Sequence, residues 1–414
     1  EIPEGWEVAP LKRFASIQTG NTPTKTSDSN YYASTGIPWI KPDNLGYSHS
    51  ISKTSEYLTS EGALCARIMP PNTVYVCCIG SLGKVGYSSI SCACNQQINA
   101  LIFNDLMFWK YGYYLTIAQE SQYLLFGNGN VLQIINSTSQ GNIACVLPPL
   151  ENQHLIACYL DSVCSDIEVL ISKTRSSIEE YKKLKQAVIT QAVTKGVRGE
   201  REMKNSGNPW FGQIPTDWKL SRVGLHFSII LGKMLCNAPL NDTYTLEPYY
   251  CAADVHFDGV ADGERKKMWF SPIEKDLYRV SVGDLLVVEG GAGAGGSAIV
   301  ENQDSYTYIQ NSIMIVRSKG NADNRYLRYL LEFLVKQGYI DVVCNKATIP
   351  HFTKDKLSCV PFCLCGEQEE IADYLDAKCA KIDGLIAKKE QLIKELESYK
   401  KSLIYEVVTG KREV

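Results

Sequence analysis

Long apolar runs, histidine and positive net charge are all scarce in this chain of 414 residues. No apolar run approaches the ~20 residues that a membrane-spanning helix needs, which excludes such a helix. Only five histidines are available as metal ligands, and the net charge is −3. This charge does not point to nucleic acid, but it excludes little, because DNA binding requires a local basic surface rather than a basic chain.

The motifs of common catalytic sites are also missing. The pattern G-x-x-x-x-G-K-[ST] is absent, so the chain encodes no nucleotide-hydrolysing motor. Neither an H-E-x-x-H helix nor a G-x-S-x-G turn occurs. The Asn/Asp-Pro-Pro-aromatic loop of an amino-methyltransferase is missing too, because Pro70-Pro71 and Pro148-Pro149 follow Met69 and Leu147. We therefore predict that this chain catalyses no reaction.

Fifteen cysteines are present, but their spacing does not suit zinc. Cys77–Cys78, Cys92/Cys94 and Cys363/Cys365 lack the two-residue gap of zinc knuckles. A long chain favours reduced thiols that serve as small apolar core residues. We therefore predict a cytoplasmic protein without a bound metal.

The most informative feature that is present is an internal repeat. The segment 153–194 returns at 368–409, displaced by 215 residues without a gap, and seventeen of its 42 positions are identical. A period of half the chain is not that of a solenoid, whose units run to a few tens of residues. The protein was therefore built twice, and its two halves are expected to do similar jobs.

The repeat also includes the start of each half. Ile2–Trp6 resembles Ile214–Trp218, displaced by 212 residues, and Gly20 matches Gly232 in the same register. The second copy has a lead-in over 205–212 that the first lacks. We expect about a dozen matching residues to precede Glu1 in the natural protein.

The pattern predicts an α+β protein with two mixed α/β globular domains. Two long antiparallel coiled-coil helices separate them, in a pseudo-twofold internal repeat. The predicted boundaries are 1–150 for the first domain, 151–200 for the first helix, 201–362 for a linker and the second domain, and 363–414 for the second helix. β-Branched and aromatic runs predict strands, and apolar positions three and four apart predict short helices. The strands are Thr73–Ile79, Ile98–Phe103, Asp284–Glu289, Ser297–Val300 and Ser312–Val316, and the short helices are Phe108–Glu120 and Asn324–Gln337.

Apolar residues at two heptad positions predict that the long helices pack against each other as a coiled coil. Prolines near Pro148-Pro149 and Pro361 mark where each helix can begin. At ~1.5 Å per residue each helix would span roughly 60 Å. The predicted interface residues are Leu160, Ile167, Leu170, Leu184, Leu375, Ile382, Leu385 and Leu396.

The run Gly291–Gly296 satisfies the pattern G-x-G-x-x-G but is a poor dinucleotide site. Such a site requires a helix to begin at the last glycine, so that its N-terminus can hold the pyrophosphate. Here the glycines run into Ser297-Ala298-Ile299-Val300, which has strand character, and Gly80–Gly86 occupies the corresponding place in the first half. We predict a tight glycine turn between strands.

Taken in order, these segments resemble the specificity subunit of type I restriction–modification systems over the whole chain. Each motif is moderately specific, whereas their repeated order is strongly specific. The last segment departs from the family pattern, with Cys and Gly where Pro and Glu are usual. The segments are Ile2–Trp6, Thr19–Pro23, Gly36–Leu45, Leu147–Gln153 and Phe362–Gln368.

The resemblance implies two target-recognition domains, each reading one half of a split, asymmetric site in double-stranded DNA. The helices would set the spacing and dock two modification (methyltransferase) subunits. Restriction subunits would supply cleavage and the motor. The methyl donor, ATP and Mg would then belong to the partner subunits, with no cofactor bound by this chain and no membrane association.

We expect the residues that contact DNA to lie where the two halves diverge. The segment from Lys41 to Cys65 has no recognisable counterpart in the second copy. Arg, Lys, Asn and Gln read base edges or hold phosphates. Gln96 and Gln310 follow strands at corresponding places, although both could be structural hydrogen-bonding residues. The run 265–267 could equally be a solvated face. The predicted DNA-binding residues are Lys25, Lys41, Asn44, Lys84, Gln96, Lys233, Arg265, Lys266, Lys267 and Gln310.

Three alternatives stay open from the sequence. The chain could serve a combined restriction–methylation polypeptide instead of separate subunits. It could be a coiled-coil scaffold that does not bind DNA, a reading that the acidic net charge favours. The third alternative, a dinucleotide-dependent enzyme, depends on the glycine run alone.

Overall fold

The computed structural model describes residues 2–23, 30–46, 50–127, 133–302, 306–344 and 350–414. The chain forms two compact units, of which the first comprises Glu1–Ser177 with Lys388–Val414 and the second Ile178–Ala387. Each unit therefore contains one globular domain together with a segment of each long helix. The predicted α+β class with two long helices is confirmed.

The first unit contains eleven strands and four short helices in its described part, and it contains the start of a long helix. The long helix continues from residue 178 into the second unit. The strands are β1 Glu7–Pro10, β2 Ala15–Thr19, β3 Tyr32–Ala33, β4 Ile37–Ile40, β5 Tyr57–Leu58, β6 Ile68–Met69, β7 Thr73–Cys77, β8 Val85–Ser88, β9 Cys92–Cys94, β10 Ile98–Phe103 and β11 Ala144–Leu147. The helices are α1 Ser60–Leu64, α2 Trp109–Ala118, α3 Glu120–Phe126, α4 Ser137–Gly141 and the long α5 Leu150–Lys195.

The second unit repeats this order with thirteen strands in its described part. Its long helix continues from residue 388 into the first unit. The strands are β12 Met203–Asn205, β13 Gln213–Pro215, β14 Lys219–Arg222, β15 Phe227–Leu231, β16 Thr245–Tyr250, β17 Val255–His256, β18 Gly259–Val260, β19 Lys267–Phe270, β20 Leu285–Val288, β21 Ser297–Ile299, β22 Tyr308–Ile309, β23 Ile313–Ser318 and β24 Pro361–Leu364. The helices are α6 Val223–His226, α7 Pro272–Tyr278, α8 Asn324–Lys336, α9 Tyr339–Val343, α10 Lys354–Ser358 and the long α11 Gln368–Val408.

A four-stranded antiparallel sheet forms the centre of each globular domain, in the order β2-β10-β7-β8 and again β15-β23-β20-β21. Alternate residues of its middle strand enter different cores, as the two-residue period of a strand requires. Val74 and Val76 pack with the long helices, whereas Tyr75 and Cys77 pack with a second sheet. The sheet is therefore buried on both faces.

The second sheet differs between the units. Among the described residues it has five strands in the first unit, β3-β5-β4-β9-β6, and three in the second, β19-β16-β22. Both are built on a parallel pair, β4 with β9 and β16 with β22. The predicted glycine turn is confirmed, since Gly291–Gly296 joins the antiparallel strands β20 and β21 and no helix begins there.

Within each unit the two long helices pair in antiparallel fashion through ion pairs. In the first unit Glu168 pairs with Lys400, and Arg175 lies 2.9 Å from Glu397. In the second unit Lys185 lies 2.7 Å from Asp383. Adding 215 to Glu168 and Lys185 gives Asp383 and Lys400, so the same ion pair occurs in both units with the roles of the helices exchanged.

Residues of the helices that are buried recur at two heptad positions, and these also contact the domain cores. One position was predicted, since Leu160, Ile167, Leu375 and Ile382 are buried and Leu396 is half-buried. The other predicted position is wrong by one residue. Leu170, Leu184 and Leu385 are 51%, 48% and 39% exposed, and the buried position lies one residue further along each helix. The residues that are buried at this position are Ala157, Cys164, Ile171, Ile178 and Ala192 in α5 and Ala372, Cys379, Lys400 and Val407 in α11.

The helices and cysteines in the described ranges show neither a membrane span nor a disulfide. None of the helices in the described ranges combines the length and the apolar character that crossing a membrane requires. All fifteen cysteines lie in those ranges, and they are free thiols.

Pro361 lies in β24, seven residues before α11, so it does not mark the start of that helix.

Candidate nucleic-acid interface

Several identical residues of the repeat have framework roles, because they make the same contacts in both units. The side chain of Gln153 accepts a hydrogen bond from Phe108 N at 2.7 Å and donates to Pro148 O at 2.9 Å. The Gln368 side chain accepts from Asp323 N at 3.0 Å and donates to Cys365 O at 3.1 Å. Each glutamine thus ties the start of a long helix to the start of a domain helix.

A second framework contact joins the middle of these helices. In the first unit Asp161 accepts a hydrogen bond from the Tyr114 hydroxyl at 2.8 Å and pairs with Lys110. In the second unit Asp376 accepts from the Tyr329 hydroxyl at 2.8 Å and pairs with Arg325. These contacts give the identical positions of the repeat a structural role.

A glycine brings two chain segments into close contact at the edge of each central sheet. A Cβ atom on Gly20 would lie 2.2 Å from Cys94 O, and one on Gly232 would lie 2.4 Å from Gln310 O. Gly20 N donates to Ile98 O at 2.9 Å, and Gly232 N donates to Ile313 O at 3.0 Å. Only glycine fits at these positions, which we call the glycine crossings.

Exposed polar side chains surround the glycine crossing of the first unit. Asn21 donates to Cys65 O at 2.8 Å and accepts from Arg67 N at 2.8 Å. The Arg67 guanidinium donates to Thr19 O at 2.7 Å. The Thr22 hydroxyl donates to the side chain of Gln96. The crossing therefore presents a guanidinium and an amide on one polar surface.

The side chain of the residue after each crossing glycine bonds to the next helix of its unit. Asn21 does so by bonding to the C-cap of α1. Lys233 replaces it in the second unit, where its ammonium group donates to Trp269 O at 2.8 Å and lies 2.6 Å from Glu274 of α7. Burial alone would raise the pKa of Glu274, but its bond with Lys233 lowers it. Lys233, which is only 10% exposed, thus has a structural role.

The predicted DNA-binding residues of the first unit lie in different environments, and Lys25 lies outside the described residues. Lys41 stacks on Trp39 and lies 2.6 Å from Glu56. The Asn44 side chain accepts from Lys41 N at 2.9 Å and so closes the 3₁₀ turn Pro42–Asn44. Lys84 and Gln96 are exposed. Lys84 and Gln96 are thus more accessible to a partner than Lys41.

The basic run of the second unit divides in the same way. Arg265 is 16% exposed, pairs with Asp254 at 3.1 Å and stacks on Tyr250. Lys266 and Lys267 are exposed, at the start of the edge strand β19. The Gln310 side chain bonds to its neighbours Asn311 and Ser312. Lys266 and Lys267 are therefore the accessible members of the predicted set.

Comparing the two units corrects two of the correspondences between the halves that the sequence suggested. Ile98 and Ile313 are equivalent at the crossings, so Gln96 corresponds to Asn311 rather than to Gln310. The segment after Lys41 does have a counterpart, because Asp254 accepts from Cys251 N at 2.8 Å just as Asn44 accepts from Lys41 N. The divergence of the halves is thus greatest outside this turn.

Arg67 and Asn21 were missed by the sequence reasoning. Asn21 follows the repeated Gly20, and that position could have found it. Arg67 precedes β6, and its neighbourhood has no counterpart in the second half that could have singled it out.

The described residues do not form a metal centre. No group of three or more His, Cys, Asp or Glu side chains among them could hold a metal ion. Burial raises the pKa of Cys78, Cys94 and Cys363 to about 12, which makes these thiols poor nucleophiles. The repeated, polar-edged domains instead suit a binding protein.

Comparisons with known proteins agree with this class. Residues 3–180 match the family model described as the type I restriction modification DNA specificity domain. The MjaX protein of Methanocaldococcus jannaschii, named as a specificity subunit of a type I restriction enzyme, is 27% identical over 99% of this chain and 94% of its own.

Solved structures agree in fold. A chain from a study of complex assembly and conformational transition of the type I R-M system has a TM-score of 0.74 at 16% identity, over 99% of this chain and 98% of the other. The HsdS subunit from Thermoanaerobacter tengcongensis has a TM-score of 0.55 at 16% identity, over 100% and 98%.

The fold and the paired crossings define a protein of two units in which the same framework contacts recur. Residues 3–180 belong to the family of type I restriction–modification DNA specificity domains, and 99% of the chain is similar to a specificity subunit of such a system. This family is the non-catalytic, sequence-recognising component of such systems.

Proposed function

We propose that each unit of this specificity subunit reads one half of a split, asymmetric DNA site. The observation that carries this proposal is the contrast between the units. Their framework contacts are repeated, whereas the second sheets differ, with five strands in the described part of one unit and three in that of the other. Unequal surfaces on equal frameworks would read unequal sequences by contacts to base edges.

The long helices would dock two modification subunits. Leu170 and Tyr399 are exposed in the first unit, and their repeat equivalents Leu385 and Leu184 are exposed in the second. Exposed apolar residues at repeated positions favour two copies of one partner protein. The modification subunits would carry the methyl donor, and restriction subunits would supply ATP- and Mg-dependent cleavage.

The function is tested by assembling the chain with its modification subunits and measuring binding to duplex DNA. We expect tight binding to a split site, at least about 10³-fold tighter than to a duplex in which both halves are scrambled. Affinity should fall as salt rises, because phosphate contacts release counterions. Equal affinity for all duplexes at every salt concentration would contradict the proposal and favour a scaffold that does not recognise DNA.

Docking is tested by Leu170→Asp and Leu385→Asp, which place a charge at one repeated position in each unit. Each substitution is expected to weaken the binding of one modification subunit by about 30-fold, as for the loss of an interface hot spot. Native mass spectrometry should show one modification subunit per chain for each single variant and none for the double variant.

The matched control is Leu155→Asp. Leu155 is 60% exposed on the same helix α5, but its repeat equivalent is Glu370, so it is apolar in only one half. The control should bind both modification subunits. Loss of binding in the control alone would contradict the assignment of the docking surface.

A further inference from the structure

Arg67 is an exposed arginine at the glycine crossing of the first unit. Among the residues that the structure describes, no carboxylate pairs with it. Arg13 in the same unit lies 3.2 Å from Glu7, and Arg175 lies 2.9 Å from Glu397. Within the described part of the chain, the Arg67 guanidinium is thus available to a partner of opposite charge.

The position of Arg67 is fixed by two hydrogen bonds. Its backbone N donates to the Asn21 side chain at 2.8 Å, and its guanidinium Nη1 donates to Thr19 O at 2.7 Å. A guanidinium has five N–H donors in a fixed fork, so four remain for a ligand. Because the side chain is already held, binding costs less conformational entropy than it would for a free arginine.

The neighbouring amide extends the same surface. Thr22 follows Asn21 directly and holds the exposed Gln96 through its side-chain oxygen, which leaves the amide N–H groups of Gln96 as donors. Guanidinium and amide groups are the side chains that read guanine and adenine edges in pairs of hydrogen bonds. The crossing therefore offers the donors needed for base recognition.

We propose that Arg67 determines specificity by reading the N7 and O6 edge of one guanine in the half-site bound by the first unit. This proposal rests on the function proposed above. Asn21 acts as a positioning residue for Arg67.

The test uses the full chain assembled with its modification subunits and duplexes that contain its split site. Each guanine of the first half-site is replaced in turn by 7-deazaguanine, which lacks the N7 acceptor. The wild-type complex should lose about tenfold in affinity at one position. Arg67→Ala should bind more weakly and should no longer respond to 7-deazaguanine at that position.

Arg67→Lys separates base reading from charge, because it keeps the charge and loses the fork. It should also lose the response at that guanine while keeping the salt dependence of the wild type. The control Arg13→Ala should keep the response. Weakening of Arg67→Ala binding to the same extent at every guanine, as for a phosphate contact, would overturn the proposal, as would an unchanged response.

A wild-type complex that prefers no sequence would instead contradict the proposed function itself. Circular dichroism of Arg67→Ala and its binding of modification subunits establish that the variant is folded. A folded, assembled variant with the wild-type response to every substituted guanine would overturn the role of Arg67 alone.

Discussion

Replacing Glu367 by alanine is expected to destabilise the second unit by about 3–5 kcal/mol, the usual cost of breaking a buried ion pair. The Glu367 carboxylate is 1% exposed and accepts two hydrogen bonds from Arg201, at 2.6 and 2.9 Å. It also accepts from Trp218 Nε1 at 2.9 Å. The substitution leaves the Arg201 charge and the indole N–H without their acceptor.

Urea unfolding of the full chain, followed by the fluorescence of Trp218 and its neighbours, measures this loss. The control is Glu370→Ala, one turn further along α11, which removes an exposed ion pair with Arg198. Exposed pairs contribute about 1 kcal/mol or less. Equal destabilisation by the two substitutions would contradict the role of Glu367.

The same carboxylate makes the stability of the second unit depend on pH. Burial alone raises the pKa of Glu367, but its bonds with Arg201 and Trp218 lower it below its ordinary value. A carboxyl with a depressed folded-state pKa stabilises fully above its unfolded pKa of about 4.3 and loses this contribution as pH falls through the folded value. Glu367→Gln should therefore lose less stability than the wild type upon acidification.

The two halves and their long helices could be predicted from the sequence, because the repeat is free of gaps and the apolar positions recur. The helix seam could be predicted only in part. Leu170 and Leu385 are large and apolar, whereas the neighbouring seam contains Ala157, Cys164 and Lys400. Large apolar residues therefore predict the exposed heptad position, whereas the buried one includes smaller and charged residues.

Accessible cations could not be told from paired ones in the sequence. Lys41, Lys233 and Arg265 pair with Glu56, Glu274 and Asp254, which lie between 11 and 41 residues away along the chain. These pairs form only when strands and helices assemble. The DNA-binding role of the predicted residues stays a prediction, and the structure favours Lys84, Gln96, Lys266 and Lys267 by their exposure.

Equivalent turns also escaped recognition, because they are defined by geometry more than by residue identity. Asn44 and Asp254 close the same 3₁₀ turn with a side-chain oxygen, although their flanking sequences share almost nothing. The glycine crossings, by contrast, retain the same residue in both halves, since any Cβ atom there would meet a backbone carbonyl. A sequence repeat therefore identifies framework positions where only one residue type fits. It does not identify positions where several residue types can make the same contact.

Gly20→Ala is expected to destabilise the first unit by about 3 kcal/mol, at the upper end of the usual cost of overpacking. The added Cβ would lie 2.2 Å from Cys94 O and 2.4 Å from Asn95 O, and both contacts are with backbone atoms that cannot rotate away. The crossing must open, which displaces Asn21 and with it Arg67. We therefore expect the assembled complex to lose recognition of the first half-site and to keep that of the second.

Thermal unfolding and binding to duplexes with one scrambled half-site measure the two effects. The control is Gly46→Ala in the same unit, where an added Cβ meets no atom of the described residues within 4 Å, so its effect should stay within about 0.5 kcal/mol. Gly232→Ala should produce the opposite pattern, because its Cβ would lie 2.4 Å from Gln310 O at the crossing of the second unit. Equal loss of both half-sites in each variant would contradict independent reading, whereas opposite losses would assign one half-site to each crossing.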